Sequence, residues 1–146
     1  MSKTPMERLN VEMQLRAIEL LQSALYLPPP APATIASFNF NIHIELRIEP
    51  AQRRVYIVVN VEINNEDQTI PLGSLSVSCI FEIANFEDVL VKGEDGVYTL
   101  PKELAVTLNS IAISTTRGVM FSTFKGTFLH GAVLPIVDPK QFKIEG

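Results

Sequence analysis

The stretch from Phe38 to Ile48 alternates between apolar and polar residues without a break. Successive side chains on a β-strand point to opposite faces of a sheet, so a period of two predicts a strand with one buried face. Two further strands with one apolar side are predicted over residues 55–63 and 70–84. The apolar side of the first of these strands consists of Phe38, Phe40, Ile42, Ile44, Leu46 and Ile48.

Short turns join these three strands. Residues 50–53 begin with proline, and residues 64–67 read Asn-Asn-Glu-Asp, whose side chains hydrogen-bond to the backbone in turns. Connections this short favour an antiparallel meander. Gly73 is predicted to mark a bulge or bend near the start of the third strand.

The N-terminal 27 residues carry a mixed pattern. Met6, Leu9 and Met13 recur at roughly helical spacing, which predicts a helix from Pro5 to Arg16. A strand is then predicted from Glu19 to Leu27. Proline fixes φ and has no amide hydrogen, so Pro28–Pro32 predicts a stiff, extended crossover to the next strand. Proline-rich runs also serve as ligands of SH3-type domains, but a position between two strands favours the structural connector.

A long helix is predicted from Leu100 to Lys125. Pro101 suits its first turn, Glu103 suits its positive end and Gly126 suits its stop. Residues 85–99, which precede it, are predicted to form an acidic loop. The apolar residues of the helix fall into two stripes, which predicts a helix covered on two sides, by the sheet on one and by a separate body on the other. The second stripe consists of Val106, Ile113, Met120 and Phe124.

The predicted fold class is α+β, with a four-stranded antiparallel sheet and one long helix packed on it. A single domain is predicted over residues 1–146. Within it, residues 1–16 are predicted to be an N-terminal helical arm and residues 127–146 an irregular, apolar tail. The apolar tail has little pattern of regular structure, so it is predicted to need a packing partner.

The composition narrows the range of partners. Apolar residues make up 47% of the chain and charged residues 19%, which is enough apolar surface for a packed core and argues against disorder. A net charge of −4, without a basic cluster, argues against nucleic acid binding. Neither a secretory signal nor an apolar run long enough to span a bilayer is found, so a cytoplasmic protein without membrane insertion is predicted.

The residues that carry most enzyme chemistry are few. The two histidines, His43 and His130, lie outside any metal-binding spacing, and the single cysteine, Cys79, lies among apolar neighbours on a strand. Glu45 and Glu49 share the polar side of one strand, where acidic residues usually keep a sheet face hydrated. No phosphate-binding or nucleophile motif occurs. We therefore expect no enzyme activity, no metal and no cofactor.

The order of predicted elements, together with three segments, resembles the SecB family of export chaperones. L-Y-L-P-P-P-A-P (25–32) is similar to the end of that family's first strand and its crossover, and C-I-F-E-I (79–83) to its central strand. T-T-R-G-V-M-F-S-T-F-K-G-T-F (115–128) and V-L-P-I-V-D-P-K-Q-F (133–142) are similar to the end of its long helix and its tail. The resemblance implies a cytoplasmic homo-oligomer, a dimer of dimers, that binds unfolded polypeptide clients without a cofactor.

The resemblance also implies an apolar groove in which clients lie extended. Family members dock the export motor through acidic residues on the sheet face, whereas the corresponding segments here, Q-S-A-L-Y-L (22–27) and G-S-L-S-V-S (73–78), contain none. A chaperone for another client, such as an unstable antitoxin, is therefore as well supported as one for protein export. The implied groove residues are Leu27, Ile35, Phe38, Phe40, Leu129, Val133, Leu134 and Ile136.

Two other hypotheses remain open at this point. The chain could be a structural or scaffolding subunit of a phage or secretion assembly, with fixed contacts and no chaperone activity. It could also be a small-molecule-binding or enzymatic domain with a pocket under the helix. A chaperone requires open apolar grooves, a scaffold requires flat patches, and an enzyme requires polar groups converging in a cavity.

Overall fold

The computed structural model describes residues 10–26 and 37–138, and the structural statements below refer to these residues. Four long strands are followed by a short helix, a small hairpin, a long helix and an irregular segment over residues 127–138. The elements are β1 (Met13–Leu25), β2 (Phe38–Glu49), β3 (Arg54–Asn65), β4 (Pro71–Ile83), α1 (Phe86–Val89), β5 (Val91–Lys92), β6 (Tyr98–Thr99) and α2 (Lys102–Phe124).

The four long strands form one antiparallel sheet in the order β1-β4-β3-β2. The meander from β2 to β4 and the α+β class are as the sequence predicted. Strand β1 completes the sheet beside β4, so β1 and β2 are its two edges. A 3-10 turn at Pro50–Gln52 joins β2 to β3.

One face of the sheet is covered by α2. Ile44 on β2 pairs with Val59 on β3, which pairs with Val77 on β4, so the three side chains share a face. Every second residue of β3 (55–63) and β4 (75–83) points to this face and is buried. Helix α2 packs mainly on these two strands. The buried residues of β3 and β4 on this face are Val55, Ile57, Val59, Val61, Ile63, Leu75, Val77, Cys79, Phe81 and Ile83.

Helix α2 lies on the sheet through one broad buried face. Small residues, Ala105 and Ala112, lie at the centre of this face together with Asn109 and Thr116. The Thr116 hydroxyl donates a hydrogen bond of 2.7 Å to the Ala112 carbonyl, whereas the buried Asn109 Oδ1 has no partner. Gly126 (φ 82°) ends the helix in the left-handed conformation, as predicted.

The two predicted stripes of α2 are the two margins of this single face. Ile113, Met120 and Phe124 of the second stripe are buried within the chain itself. The expectation that a separate body covers the second stripe is therefore wrong for these three residues. The intervening small residues obscured the continuity of the face in the sequence.

Strand β1 begins earlier than predicted. Residues 13–16 are strand and residues 10–12 have no regular structure, so the predicted helix is wrong over 10–16, and its first residues lie outside the described chain. Two β-bulges interrupt the alternation of β1. The register passes from Leu15 opposite Phe81 to Ala17 opposite Ile80, which leaves Arg16 as an extra residue, and a second shift leaves Leu21 extra.

A bulge puts two residues of one strand opposite a single residue of its partner, so it breaks the alternation. In β1 it places Leu15 and Ile18, three residues apart, on the same face of the sheet. The predicted helix rested instead on Met6, Leu9 and Met13, of which Met13 alone lies among the described residues. The predicted irregularity near Gly73 is confirmed, because the β3–β4 register shifts where Asn64 pairs with Pro71.

Residues 85–99 hold more structure than the predicted loop. They form α1 and the two-residue strands β5 and β6, which pair as a small hairpin. Phe86 is fully buried and Val89 nearly so, and they anchor α1 to the core. Strands of two residues leave no periodic pattern in a sequence, so the acidic composition was the dominant signal.

Candidate functional site

The helix-side face of β1 is apolar and uncovered. Leu15, Ile18, Leu20 and Leu25 pair with residues of β4 that face α2, so they lie on the helix side of the sheet. Each is 40–48% exposed, although their partners on β4 are buried. The bulged Leu21 is comparably exposed. A continuous apolar surface of this kind marks a contact site for another molecule.

The backbone of β1 has a free edge as well. In the part of the chain that the structure describes, β1 pairs with β4 alone. Its other edge therefore presents unpaired amide and carbonyl groups along a 13-residue strand. An exposed apolar edge of this length can add a strand from another chain. We call the free edge and the exposed helix-side residues of β1 the β1 surface.

The segment after α2 folds back along the outside of that helix. The Arg117 guanidinium donates hydrogen bonds of 2.7 and 2.8 Å to the carbonyls of Leu134 and Pro135. The Gly126 amide donates to Nδ1 of His130 at 3.3 Å, and the ring of His130 lies 5.6 Å from that of Phe121. These contacts hold the tail in place without regular structure.

The predicted groove residues divide into three groups. Leu129 and Leu134 are fully buried in the core, Val133 and Ile136 are exposed, and Phe38 and Phe40 are half-buried. Leu27 and Ile35 lie outside the described residues.

The tail meets the start of β2. A Cβ on Gly131 would lie 4.0 Å from the ring of Phe38, and the rings of Phe38 and Phe40 are 6.5 Å apart. Ile136 is 96% exposed. The structure thus brings Phe38 and the tail together, and it places Leu129 and Leu134 beneath them as support. We call the exposed residues Phe121, Val133 and Ile136, with Phe38 and Phe40, the tail surface.

Leu129 packs beside a glycine of the sheet. A Cβ on Gly73 would lie 2.6 Å from Cδ1 of Leu129 and 2.8 Å from the carbonyl oxygen of Ala24. The Leu129 methyl could shift because it ends a flexible side chain, whereas the Ala24 carbonyl belongs to the backbone of β1. The glycine therefore chiefly permits the close approach of β1, and Leu129 packs into the space beside it.

The sequence pattern did not indicate the β1 surface. From the N-terminal strand, Leu27 alone was implied as a groove residue. Residues 18–27 read I-E-L-L-Q-S-A-L-Y-L and contain apolar residues in both phases of the alternation. The bulge at Leu21 changes the phase, so Ile18, Leu20 and Leu25 share one face although they do not alternate strictly. The change from even to odd apolar positions was the available signal.

The sheet face opposite α2 is polar. A shallow concavity of about 530 Å³ lies on it, lined by side chains from all four strands. Ser76 donates a hydrogen bond of 2.6 Å to Asn60, and Gln22 donates one of 2.8 Å to Ser74. Gln22, Ser74 and Ser76 thus present amide and hydroxyl groups on this face.

The single cysteine lies inside the core. Burial raises the pKa of the Cys79 thiol, and a hydrogen bond with Thr115 partly offsets that rise, so the thiol stays protonated and unreactive under α2. Residues 10–26 and 37–138 contain no group of three histidine, cysteine or acidic side chains able to hold a metal ion. None of the described helices is both long and apolar enough to cross a bilayer.

Comparison with solved structures identifies the fold. The chain superposes on the Mycobacterium tuberculosis SecB-like chaperone Rv1957, solved in complex with a ChAD peptide from the HigA1 antitoxin Rv1956, with a TM-score of 0.57. The match has 17% identity and covers 86% of this chain and 90% of that one. The chain has a SecB-like fold. A protein of unknown function from Streptococcus agalactiae aligns over 88% of this chain and 100% of its own, with 16% identity and a TM-score of 0.34.

Comparisons of the sequence alone found no match. No family model matches the chain, and no curated protein matches it. The likeness therefore rests on the arrangement of the sheet, the long helix and the short C-terminal segment.

Proposed function

We propose that this protein is a SecB-like chaperone that holds unfolded or non-native polypeptides on apolar surfaces. The observation that carries the proposal is the exposure of large apolar side chains on a well-packed α+β domain, concentrated on the β1 surface and the tail surface. The SecB-like fold, shared with a chaperone solved with a bound peptide, supports the same conclusion.

The two surfaces have different proposed roles. The β1 surface combines a free strand edge with apolar side chains, and a second copy of the chain satisfies both needs at once. Two β1 strands pairing antiparallel about a two-fold axis would join two four-stranded sheets into one of eight strands. We therefore assign the β1 surface to the homo-oligomer, and further pairing of such dimers would give the dimer of dimers.

The tail surface is the proposed client site. Its side chains are apolar, exposed and held by backbone contacts, so they offer shallow pockets without demanding a particular client sequence. Val133 and Ile136 are the proposed contacts in the tail, with Phe38 and Phe40 at the start of β2. Leu129 and Leu134 are assigned a supporting role, because neither has surface available to a client.

Segments 22–27 and 73–78 contain no acidic residue, so an antitoxin-like client is at least as well supported as the export pathway. Docking to an export motor through acidic side chains has no counterpart at Gln22, Ser74 or Ser76, which are uncharged and hydrogen-bonded. The chaperone of similar fold was solved with an antitoxin peptide. We propose that the clients include an unstable antitoxin or a similarly unfolded regulator in the same compartment, the cytoplasm.

The experiment measures the native mass by light scattering, with and without a saturating amount of a permanently unfolded protein. We expect an oligomer that gains the mass of the client and suppresses its aggregation. The paired substitutions Val133→Asp and Ile136→Asp should weaken uptake about tenfold or more, since each places a charge where an apolar contact forms. Val91→Asp is the control, because Val91 is equally exposed but lies on the β5–β6 hairpin.

The outcomes separate the hypotheses. An oligomer that takes up no client would favour the scaffolding subunit, which uses the same surfaces for fixed contacts. Uptake that survives Val133→Asp with Ile136→Asp would contradict the tail surface while leaving the chaperone function in place. A monomer that ignores the unfolded protein would refute the proposed function.

A further inference from the structure

A separate apolar groove lies at the opposite end of β2 from Phe38. Its volume is about 540 Å³. One wall is the end of β2 and the turn that follows, with Leu46, Ile48 and Pro50. The other wall is the second half of the β5–β6 hairpin and its link to α2, residues 96–100. The width of the groove therefore depends on where the hairpin lies.

The hairpin is closed by its own hydrogen bonds. The Gly93 amide donates to the Val97 carbonyl at 2.9 Å, and the Gly96 amide donates to the Gly93 carbonyl at 3.0 Å. The Asp95 carboxylate accepts a further bond of 3.0 Å from the Val97 amide. These residues are all exposed, so the hairpin's own hydrogen bonds can open once its attachment to the rest of the chain is lost.

The attachment of the hairpin to the rest of the chain is narrow. Strands β5 and β6 pair with each other and with no other described strand, and Val91 and Val97 are exposed. The ring of Tyr98 packs edge-on against Phe86 with centroids 5.0 Å apart. Its hydroxyl donates a bond of 2.8 Å to Oε2 of Glu87 on α1.

That bond links the hairpin to the body at a single point. Within residues 10–26 and 37–138, the Tyr98–Glu87 contact is the one hydrogen bond between residues 91–99 and the rest of the chain. Both groups are open to solvent, so water competes for the bond and its net stabilisation is small. Segments with few buried contacts open locally far more often than the core does.

We propose that the β5–β6 hairpin is a movable wall, latched by the Tyr98–Glu87 hydrogen bond, whose opening exposes the floor of the groove at Leu46 and Ile48. The hinges are the two ends of the hairpin, next to the buried Leu90 and before Pro101. This device is independent of the proposed client site, since the tail surface contains none of these residues.

The test is amide hydrogen exchange in Tyr98→Phe, which removes the hydroxyl and keeps the ring against Phe86. We expect exchange at Gly96 and Val97 to rise roughly tenfold, as loss of one exposed hydrogen bond implies. Amides of β3 should keep their wild-type rates. Tyr56→Phe, on the far face of the sheet, is the matched control, and Glu87→Gln, which keeps an acceptor oxygen, should exchange at nearly wild-type rates.

A second readout follows the groove itself. Fluorescence of the apolar dye anilinonaphthalene sulfonate should increase in Tyr98→Phe and fall back when Ile48→Ser is added, because the dye then loses the exposed floor. Unchanged exchange at Gly96 and Val97 in Tyr98→Phe would overturn the latch. A rise shared equally by β3 would also overturn it, since the bond would then stabilise the whole fold.

Discussion

Both edge strands of the sheet have an apolar side facing α2. In the described residues this side is largely covered on β2 and largely exposed on β1. On β2, Ile44 is buried and its neighbours are half-buried, because α2, the tail and the hairpin lie along that side of the molecule. On β1 the corresponding residues remain 40–48% exposed. A helix is about 10 Å wide, whereas four strands spaced about 4.8 Å apart span more than that, so one helix cannot cover them all.

The difference teaches where a second molecule is needed. The chain covers β2 with its own C-terminal half and leaves β1 without a cover. The bulges at Arg16 and Leu21 keep leucine and isoleucine on the helix side of β1, even though no element of the described chain covers them. We therefore expect β1 and β2 to respond differently to the same substitutions.

The largest contrast is expected between Ile44→Ala and Ile18→Ala. Ile44 is buried on β2, so its truncation should lower the free energy of unfolding by about 2–5 kcal/mol. Ile18 is about half exposed in the isolated chain, so its truncation should act mainly through association and depend on protein concentration. Urea unfolding at two concentrations measures both. Equal and concentration-independent losses would mean that β1 is as covered as β2.

A pair of glycines tests how closely β1 approaches β4. Gly73→Ala forces a Cβ against Leu129 and the Ala24 backbone, and it should lower the free energy of unfolding by about 1–3 kcal/mol. Gly118→Ala on α2 meets nothing within 4 Å and should raise it by about 0.5–1 kcal/mol. Thermal unfolding gives the sign of each change. A neutral Gly73→Ala would show that the Ala24 backbone does not lie this close to Gly73 in solution.

Loss of the Arg117 guanidinium should uncover part of the β2 side. Arg117→Ala removes two hydrogen bonds to the tail carbonyls and should cost about 1 kcal/mol, because the group is only half-buried. Arg117→Lys keeps the charge but not the paired geometry, so it should recover part of the loss. Hydrogen exchange of residues 132–137 follows the release, with Lys125→Ala as the control. Unchanged protection in Arg117→Ala would mean that other contacts hold the tail.

The smallest effect is a difference in thiol reactivity. Cys79 is buried under α2 with a raised pKa, so an aromatic disulfide reagent at pH 8 should modify it slowly at every protein concentration. A thiol on β1, made by Leu20→Cys in a Cys79→Ser background, should react fast in dilute protein and slowly in concentrated protein. A fast reaction at all concentrations would show that no second copy covers Leu20.

Strict alternation was enough to predict β2, β3 and β4, because each residue on one side of these strands is buried by α2 or its neighbours. A pattern of period two could not predict the register of β1, because the bulges at Arg16 and Leu21 each shift the alternation by one residue. The hairpin escaped notice because two-residue strands have no period. These limits follow from local geometry that depends on the partner strand.

The predicted groove stays a proposal, whereas the fold was predicted in outline. Phe38 lies against the tail, and Leu129 and Leu134 are buried. A sequence cannot separate an apolar residue that supports a surface from one that forms it, because both look alike in hydrophobicity.

Native mass by light scattering tests the central claim, that β1 is covered by a second copy of the chain. We expect wild-type protein at micromolar concentration to be a dimer or a multiple of one, and Leu20→Glu to dissociate into monomers. Gln14→Glu places the same charge on the opposite face of β1 and should keep the wild-type mass. A wild-type monomer, or an unchanged mass in Leu20→Glu, would contradict the account.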